Sequence, residues 1–362
     1  MKKERLIQWL KQIPIWVWVV WILFALTAIV HFFSFLSPAF ADGVSGSVGY
    51  VLRAALGYLT AVFPFSLAEI ILLALPIEIP LVILLVRRRL KKCSPIRIVS
   101  GFLSFLPILY ILFVFSLGVG YGASSLDEKM NLSVDDEITE TDLFATAEWL
   151  ARQAEKELAQ LRGSEMPVYN EREMNEALIR AYDALAEEYD FIKSFSVGVK
   201  PILLSQPMAY TGISGIYSFF TGEANLNTSY PQYSDFFTAA HEMAHARGFS
   251  RENEANFVAF LVLSASEDPY LRYAGYANLL QYVLSALSRT DDGAFVTLYT
   301  SLPVELKAEY KAYYEYIDTI DDSVVREISD AVNDAYLKGV GGEGVISYGM
   351  VVTLAVSFYK AQ

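Results

Sequence analysis

The stretch Tyr233–Phe260, YSDFFTAAHEMAHARGFSRENEANFVAF, decides how this 362-residue chain is read. Ser234 suits a helix N-cap, with Asp235 in the first turn, and the helix is expected to run to about Ala246. His241 and His245 stand four apart, so both imidazoles leave one helix face, one turn apart. Two nitrogens so placed can grip one Zn2+ at roughly 2.0–2.1 Å each. Glu242 follows the first histidine and can lean over the metal's edge. There it can take a proton from a zinc-held water, whose pKa the metal brings to about 7. The competing reading is a pair of histidines satisfied inside a helix bundle. The chain has three histidines in all, and two of them fall in this five-residue window. His31 lies in an apolar run far from the motif and reads as a polar group at a helix contact.

A catalytic zinc usually keeps three protein ligands and one water. Beyond residue 123 no further histidine and no cysteine occurs, so the third ligand has to be a carboxylate. Gly248 follows His245 by three residues and permits a sharp turn off the helix. Glu252-Asn253-Glu254-Ala255-Asn256 then opens a second helix. Glu252 and Asn256 share a face that continues through Ala259, Phe260 and Leu263. Glu254 points about 200° away, at roughly 3.6 residues per turn. Glu252 is therefore the preferred ligand, with Asn256 supporting a ligating group. Glu254 is the reserve, and the acid that is not a ligand is expected to be a solvated first-turn residue facing the helix dipole.

Working outward, charge divides the chain. Residues 1–122 hold eleven Lys and Arg and four acids, leaving 17 basic and 37 acidic residues in 123–362. The net charge of −13 argues against nucleic acid as a partner, since phosphate is met by clustered Lys and Arg. The single cysteine, Cys93, excludes a disulfide framework. Three apolar runs are long enough to span a bilayer: about 13–36, 65–86 and 99–121. Lys2, Lys3, Arg5 and Lys11 precede the first. Arg87, Arg88, Arg89, Lys91, Lys92 and Arg97 separate the second from the third. Basic flanks face the cytoplasm, so the N-terminus is expected inside and residues 123–362 outside a cell membrane crossed several times. The segment 47–63 suits an interfacial helix. Glu69 and Glu78 read as an interfacial carboxylate and a partner for backbone freed by Pro76 and Pro80.

The acidic part reads as mostly helical. Glu137–Arg162 places Leu143, Ala147, Leu150, Ala154 and Leu158 on one stripe, and Glu171–Tyr189 and Ile346–Tyr359 are further helices. Val197–Leu204 and Gly215–Asn227 read as short strands or loops. Ser124–Asp136 is the expected hinge. Peptide hydrolysis also needs an extended substrate on a strand edge, for which 211–228 is the candidate. It needs a donor for the oxyanion too, and Tyr217, Tyr210 and Tyr348 are unranked candidates.

The segments PFSLAEI (64–70), KPILLSQPMAYTGISGIYSFFTGEANLN (200–227), HEMAHARGFSRENEANFVAF (241–260) and SYGMVVTLAVSFY (347–359) resemble a family of uncharacterised bacterial membrane proteins with an HExxH motif. That family is classed only as a domain of unknown function. A wider similarity is to the membrane-spanning gluzincin metallopeptidases, of the prenyl-protein and penicillin-sensor types, which pair HExxH with a later Glu-x-x-Ala-Asp. Glu252-x-x-Ala255-Asn256 resembles that second motif, with Asn in place of Asp and a much shorter gap. The short gap is similar to that of metzincins, although Arg251 stands where their third histidine would be. The resemblance implies His241, His245 and Glu252 as zinc ligands and Glu242 as the catalytic base.

The expected fold class is therefore mainly α (α+β). A membrane domain, 1–122, with three transmembrane helices precedes a helix-rich zincin-like metallopeptidase domain, 123–362, with a small sheet. The expected function is zinc-dependent hydrolysis of a peptide or protein substrate beside the lipid bilayer. The alternative is a non-catalytic zinc-containing membrane sensor or scaffold that binds an envelope peptide or ligand.

Overall fold

Long apolar runs satisfy their own backbone as helices, and three described here are long and apolar enough to cross a membrane: Ile15–Ser34, Leu67–Arg89 and Pro95–Ser116. The computed structural model describes residues 9–90, 94–135, 137–162, 166–320, 324–339 and 350–362. Lys2, Lys3, Arg5, Lys91, Lys92, Cys93, Asp136, the first residues of the expected C-terminal helix (346–349) and with them Tyr348 lie outside these. Helix α1 (Ile15–Ser34) is the first apolar helix. It is followed by α2 (Pro38–Val44), a π turn at Ser45–Gly49 and α3 (Tyr50–Thr60). Helix α4 (Leu67–Leu90) is the second and carries Pro76 and Pro80 inside it. The third breaks at Ser104 into α5 (Pro95–Leu103) and α6 (Phe105–Ser116). Pro107 has no N–H to offer the carbonyl one turn back, which weakens the helix at that joint. Helix α1 packs on α6. There His31 Nδ1 meets the Tyr110 hydroxyl at 2.9 Å, the polar helix contact its sequence position suggests.

The remainder is mainly helical around a small mixed sheet. Helices α7 (Leu126–Met130), α8 (Glu140–Leu161) and α9 (Glu171–Glu188) come first. The stripe Leu143, Ala147, Leu150, Ala154, Leu158 is buried as its periodicity demands. Strand β1 (Val199–Pro201), helix α10 (Ser205–Ala209) and strands β2 (Gly215–Ser218) and β3 (Glu223–Leu226) follow. The strand order is β1-β3-β2, with β1 parallel and β2 antiparallel to β3. Strand β2 is thus an edge. Helices α11 (Gln232–Arg247), α12 (Glu252–Ser264) and α13 (Pro269–Thr290) then pack in series, α11 also lying on the sheet and α13 along α8. Helices α14 (Asp292–Ser301), α15 (Val304–Asp318), α16 (Val324–Gly339) and α17 (Met350–Lys360) complete the described chain. The largest core joins α8, α9, α11, α12, α13 and α17.

Two polar clamps fix this helical part to the apolar helices. Glu223, buried in β3, accepts the backbone N–H groups of Leu67 and Ala68 at 3.0 and 2.8 Å, so a sheet carboxylate caps the start of α4. Buried Lys200 bonds Glu223 and the Thr60 carbonyl at the end of α3, each at 2.6 Å. In return Glu69 accepts the N–H groups of Leu203 and Leu204, both at 2.8 Å. Glu69 is therefore a structural carboxylate joining α4 to residues 203–204, whereas Glu78 stays exposed on α4.

The second clamp is Arg53, 2% exposed on α3. Its guanidinium reaches the carbonyls of Phe115, Ser116, Ser45 and Arg247 at 2.9–3.4 Å. Two helix ends, those of α6 and α11, thus share one cation. Burial lowers its pKa to about 10, which leaves it charged at neutral pH. Helix α3, expected at an interface, buries Arg53 and Gly57 in the protein and leaves Val51 and Leu59 exposed. The expected hinge is also pinned: Ser124 donates to Asp42, and Lys129 pairs with Asp42 at 3.0 Å.

Glu223→Gln strands the Lys200 ammonium without a counter-charge in the interior. The variant is expected to lose about 3 kcal/mol in thermal unfolding of the detergent-solubilised protein. Adding Lys200→Met should restore much of that loss. An unchanged melting temperature for Glu223→Gln would show that the clamp carries no load.

Candidate metal centre

Helix α11 begins at Gln232 with Pro231 at its N-cap, three residues before the expected cap Ser234, whose hydroxyl instead bonds the Pro231 carbonyl. Pro231 supplies fixed extended geometry ahead of the first turn, so the side-chain cap is not needed. The helix is buried from Phe236 to Arg247 apart from the half-buried Thr238. It ends at Gly248, whose φ of 106° is left-handed. A Cβ at Gly248 would lie 2.5 Å from Arg53 Nη2, so glycine is required by both backbone and space. The left-handed turn reverses the chain within four residues, and α12 opens with Glu252 beside the histidines.

The three side chains converge. His241 Nε2 and His245 Nε2 are 3.0 Å apart. Glu252 Oε2 is 3.2 Å from His241 Nε2, and Oε1 is 3.6 Å from His245 Nε2. One ligand atom from each lies within 4.8 Å of the others, so the trio can hold a metal ion. His245 Nδ1 meets the Phe249 carbonyl at 2.7 Å, which fixes the ring and leaves Nε2 facing the cluster. His241 Nδ1 is buried without a hydrogen bond.

Glu242 lies deep beside the pair, and burial raises its pKa despite the neighbouring histidines. Its Oε2 has no hydrogen-bond partner, and the Tyr217 backbone N–H faces the carboxylate. Strand β2 passes close by: a Cβ on Gly215 would sit 2.7 Å from both Cγ and Oε1 of Glu242. Only hydrogen fits there, so the edge strand and the carboxylate are in contact.

Glu254 is turned away from the cluster. It accepts the Leu126 N–H at 3.0 Å and pairs with Arg251 at 2.7 Å, tying α12 to the start of α7. It is 4% exposed rather than solvated, because α12 is surrounded on all sides from Glu254 to Leu263. Burial raises its pKa even beside Arg251. Arg251 also donates to the carbonyls of Tyr121 and Ala123. Asn256 is buried one turn from Glu252, and its Nδ2 makes no hydrogen bond.

Of the expected oxyanion donors, Tyr217 is turned from the cluster. Tyr217 packs under α11 with Ala246, its hydroxyl near Arg53 and Ser116 and its pKa pushed up to about 12 by burial. Tyr210 is 46% exposed, and Tyr348 lies outside the described residues. Instead Tyr282 and Tyr336 are close enough for the Glu252 charge to add to the burial that raises their pKa values. They come from α13 and α16, and no local sequence signal marks either one.

A family model described as "Protein of unknown function (DUF3810)" matches residues 46–356. No curated protein and no solved structure matches the chain.

Electrostatics of the metal-free cluster give a pH signature. Burial opposes charge on His245, but Glu252, helped by Glu242 and the Phe249 carbonyl, outweighs it and raises the imidazole from 6.5 to about 9. Burial likewise opposes the Glu252 charge, and the two histidines hold its carboxyl well below 4.5. The raised histidine stabilises fully below 6.5 and its contribution is lost as pH climbs through about 9. The depressed carboxylate stabilises above 4.5 and loses that effect in strong acid. Chelator-treated protein should therefore melt at highest temperature between about pH 4.5 and 6.5 and weaken toward pH 9, by up to about 3 kcal/mol. Glu252→Gln should flatten this slope, and an identical slope in that variant would contradict the pairing.

Proposed function

The chain belongs to the DUF3810 family of proteins of unknown function, and on that premise we propose that it is a membrane-anchored zinc metallopeptidase. In this reading His241, His245 and Glu252 hold Zn2+, and Glu242 is the general base. Residues 123–362 form a zincin-like domain outside the membrane, and 1–122 supply three spans with the N-terminus in the cytoplasm. One observation carries the reading. The two Nε2 atoms are 3.0 Å apart, each lies 3.2–3.6 Å from one of the two Glu252 carboxylate oxygens, and one ligand atom from each residue lies within 4.8 Å of the others, so the three donors face one small space of the size a single ion takes. The donor set, two imidazoles and a carboxylate with one ring fixed through Nδ1, suits a catalytic rather than a closed structural site.

A zinc ion held there supplies Lewis acidity, acidifying a water and polarising a carbonyl. The chain's own residues supply the rest. Burial gives Glu242 a raised pKa, which suits a carboxylate that takes a proton from water and returns it to the departing amine. Water oxygen bonds to the carbonyl carbon, the C–N bond breaks, and the proton passes through Glu242. The alternation set by the Asn227 N–H to Ser214 carbonyl bond leaves the peptide groups of Gly215 and Tyr217 pointing away from β3. The Tyr217 N–H already faces the Glu242 carboxylate, which leaves the Gly215 peptide groups and the Tyr217 carbonyl to pair with an extended substrate directly beside Glu242. Tyr282 and Tyr336, which feel the Glu252 charge, are the candidate hydroxyls for the developing oxyanion.

Lys11 before the first span and Arg87, Arg88, Arg89 and Arg97 between the second and third support the orientation. The bilayer and a peptide or protein are thus the proposed partners.

Purified protein loaded with zinc should retain one equivalent per chain after desalting. His241→Ala and Glu252→Ala should lose it, and Glu254→Ala should keep it. Glu242→Gln should keep zinc while chelator-sensitive cleavage of a peptide library falls by about 10³ or more. Full cleavage by Glu242→Gln would refute the assigned base. Zinc retention with no cleavage of any peptide by the unaltered protein would favour the sensor or scaffold instead.

A further inference from the structure

The edge of β2 that pairs with no other described strand adjoins a second feature. On the sheet face away from α11 lies an apolar cavity of about 420 Å³ between the sheet and the outer end of α4. Leu72 and Leu73 of α4 form one wall, and Ile202, Leu204, Met208 and Ile216 form the others. Ile216 belongs to the edge strand and is 46% exposed, and Leu72, Leu73 and Leu204 are 57%, 49% and 43% exposed. Asn225 also lines the cavity and is 1% exposed. Its Nδ2 bonds the carbonyls of Ile216 and Glu223, but its Oδ1 has no donor.

Each of these observations constrains the occupant. A strand added to that edge of β2 alternates its side chains between the α11 face and the cavity face. The side chains on the cavity face would be apolar. Hydrocarbon alone leaves the buried Asn225 acceptor unmet; Asn225 lies on β3, behind β2 from that edge, so a donor side chain on the cavity face can satisfy it while the added strand's own N–H groups cannot. One wall of the cavity is a helix apolar enough to cross the membrane, none of whose 18-residue apolar window is buried in the protein. A chain lying in the groove therefore lies where α4 leaves the lipid. The β2–β3 turn sits at the same level, since Phe219 packs edge-on against Phe113 of α6 at 5.6 Å.

We propose that this groove selects the substrate: the extended juxtamembrane flank of a polypeptide that is itself membrane-inserted, with apolar residues at alternate positions. The proposal rests on the peptidase reading above and narrows it from peptides in general to anchored ones.

The test uses the full zinc-loaded protein in liposomes and two synthetic probes. One has a Leu/Ala membrane span and an outer flank of alternating Val and Ser, with benzoylphenylalanine at one flank position. The other is the flank alone. Burying even one apolar side chain corresponds to a gain of about tenfold or more, so the anchored probe should show at least that advantage in kcat/KM. Its photoproducts should map to Ile216, Leu204 or Leu72. Met208→Glu, which places a charge in the groove, should lower cleavage of the anchored probe by a similar factor. Equal cleavage of both probes would overturn the proposal while leaving the peptidase reading intact. No cleavage of either probe, with selective crosslinking of the anchored one in the groove, would refute the peptidase reading and keep the groove assignment. Neither cleavage nor selective crosslinking would overturn the groove assignment itself.

Discussion

The left-handed turn at Gly248 is the constraint on which the site depends. A helix alone can bring two imidazoles together, but a carboxylate from the same helix cannot complete the ring of donors on that face. The chain has to come back at once. Gly248 does this with a φ of 106°, and Glu252 then reaches both histidines at 3.2 and 3.6 Å. The turn is held from outside by Arg53, which fills the space beside the Gly248 Cα and bonds the Arg247 carbonyl. The same guanidinium bonds the end of α6, so the geometry of the cluster and the placement of the third apolar helix share one cation.

That coupling makes residues 38–60 part of the support for the cluster. Helix α3 lies against α11, while Lys200 and Glu223 join the ends of α3 and α4 to the sheet. Glu242 on α11 then lies against the edge strand β2, whose neighbour β3 caps the start of α4 through Glu223. Charged residues perform this joining because helix ends present unpaired N–H and C=O groups that apolar contacts cannot satisfy. The buried charges Arg53, Lys200, Glu223 and Glu254 are thus accounted for by backbone groups and by each other.

Much of the site was legible in the sequence because its signals are local. The four-residue spacing of His241 and His245, the glycine three residues on, and Glu252 in the next first turn all lie within twelve residues. The helix stripe from Leu143 to Leu158 and the apolar runs are equally local. What was not legible depends on partners far along the chain. Nothing near Glu254 announces that Leu126 will bind it, and solvent was the natural expectation for a first-turn acid. Tyr217 alternates inward toward Arg53, 164 positions away, so a tyrosine beside the motif in sequence serves the core. Tyr282 and Tyr336 are brought within range of the Glu252 charge only through the packing of α13 and α16. The break at Ser104 follows from Pro107, a local cue concealed within a uniformly apolar run.

The central claim is a cation held by two imidazoles and one carboxylate. Zinc-edge X-ray absorption of the loaded, full-length protein tests it most directly, since His31 is the chain's one other histidine and sits in α1. The account predicts a first shell of about four nitrogen and oxygen neighbours at roughly 2.0–2.1 Å, with outer-shell scattering that fits two imidazoles. A sulfur neighbour, a single imidazole, or a six-oxygen shell would contradict it.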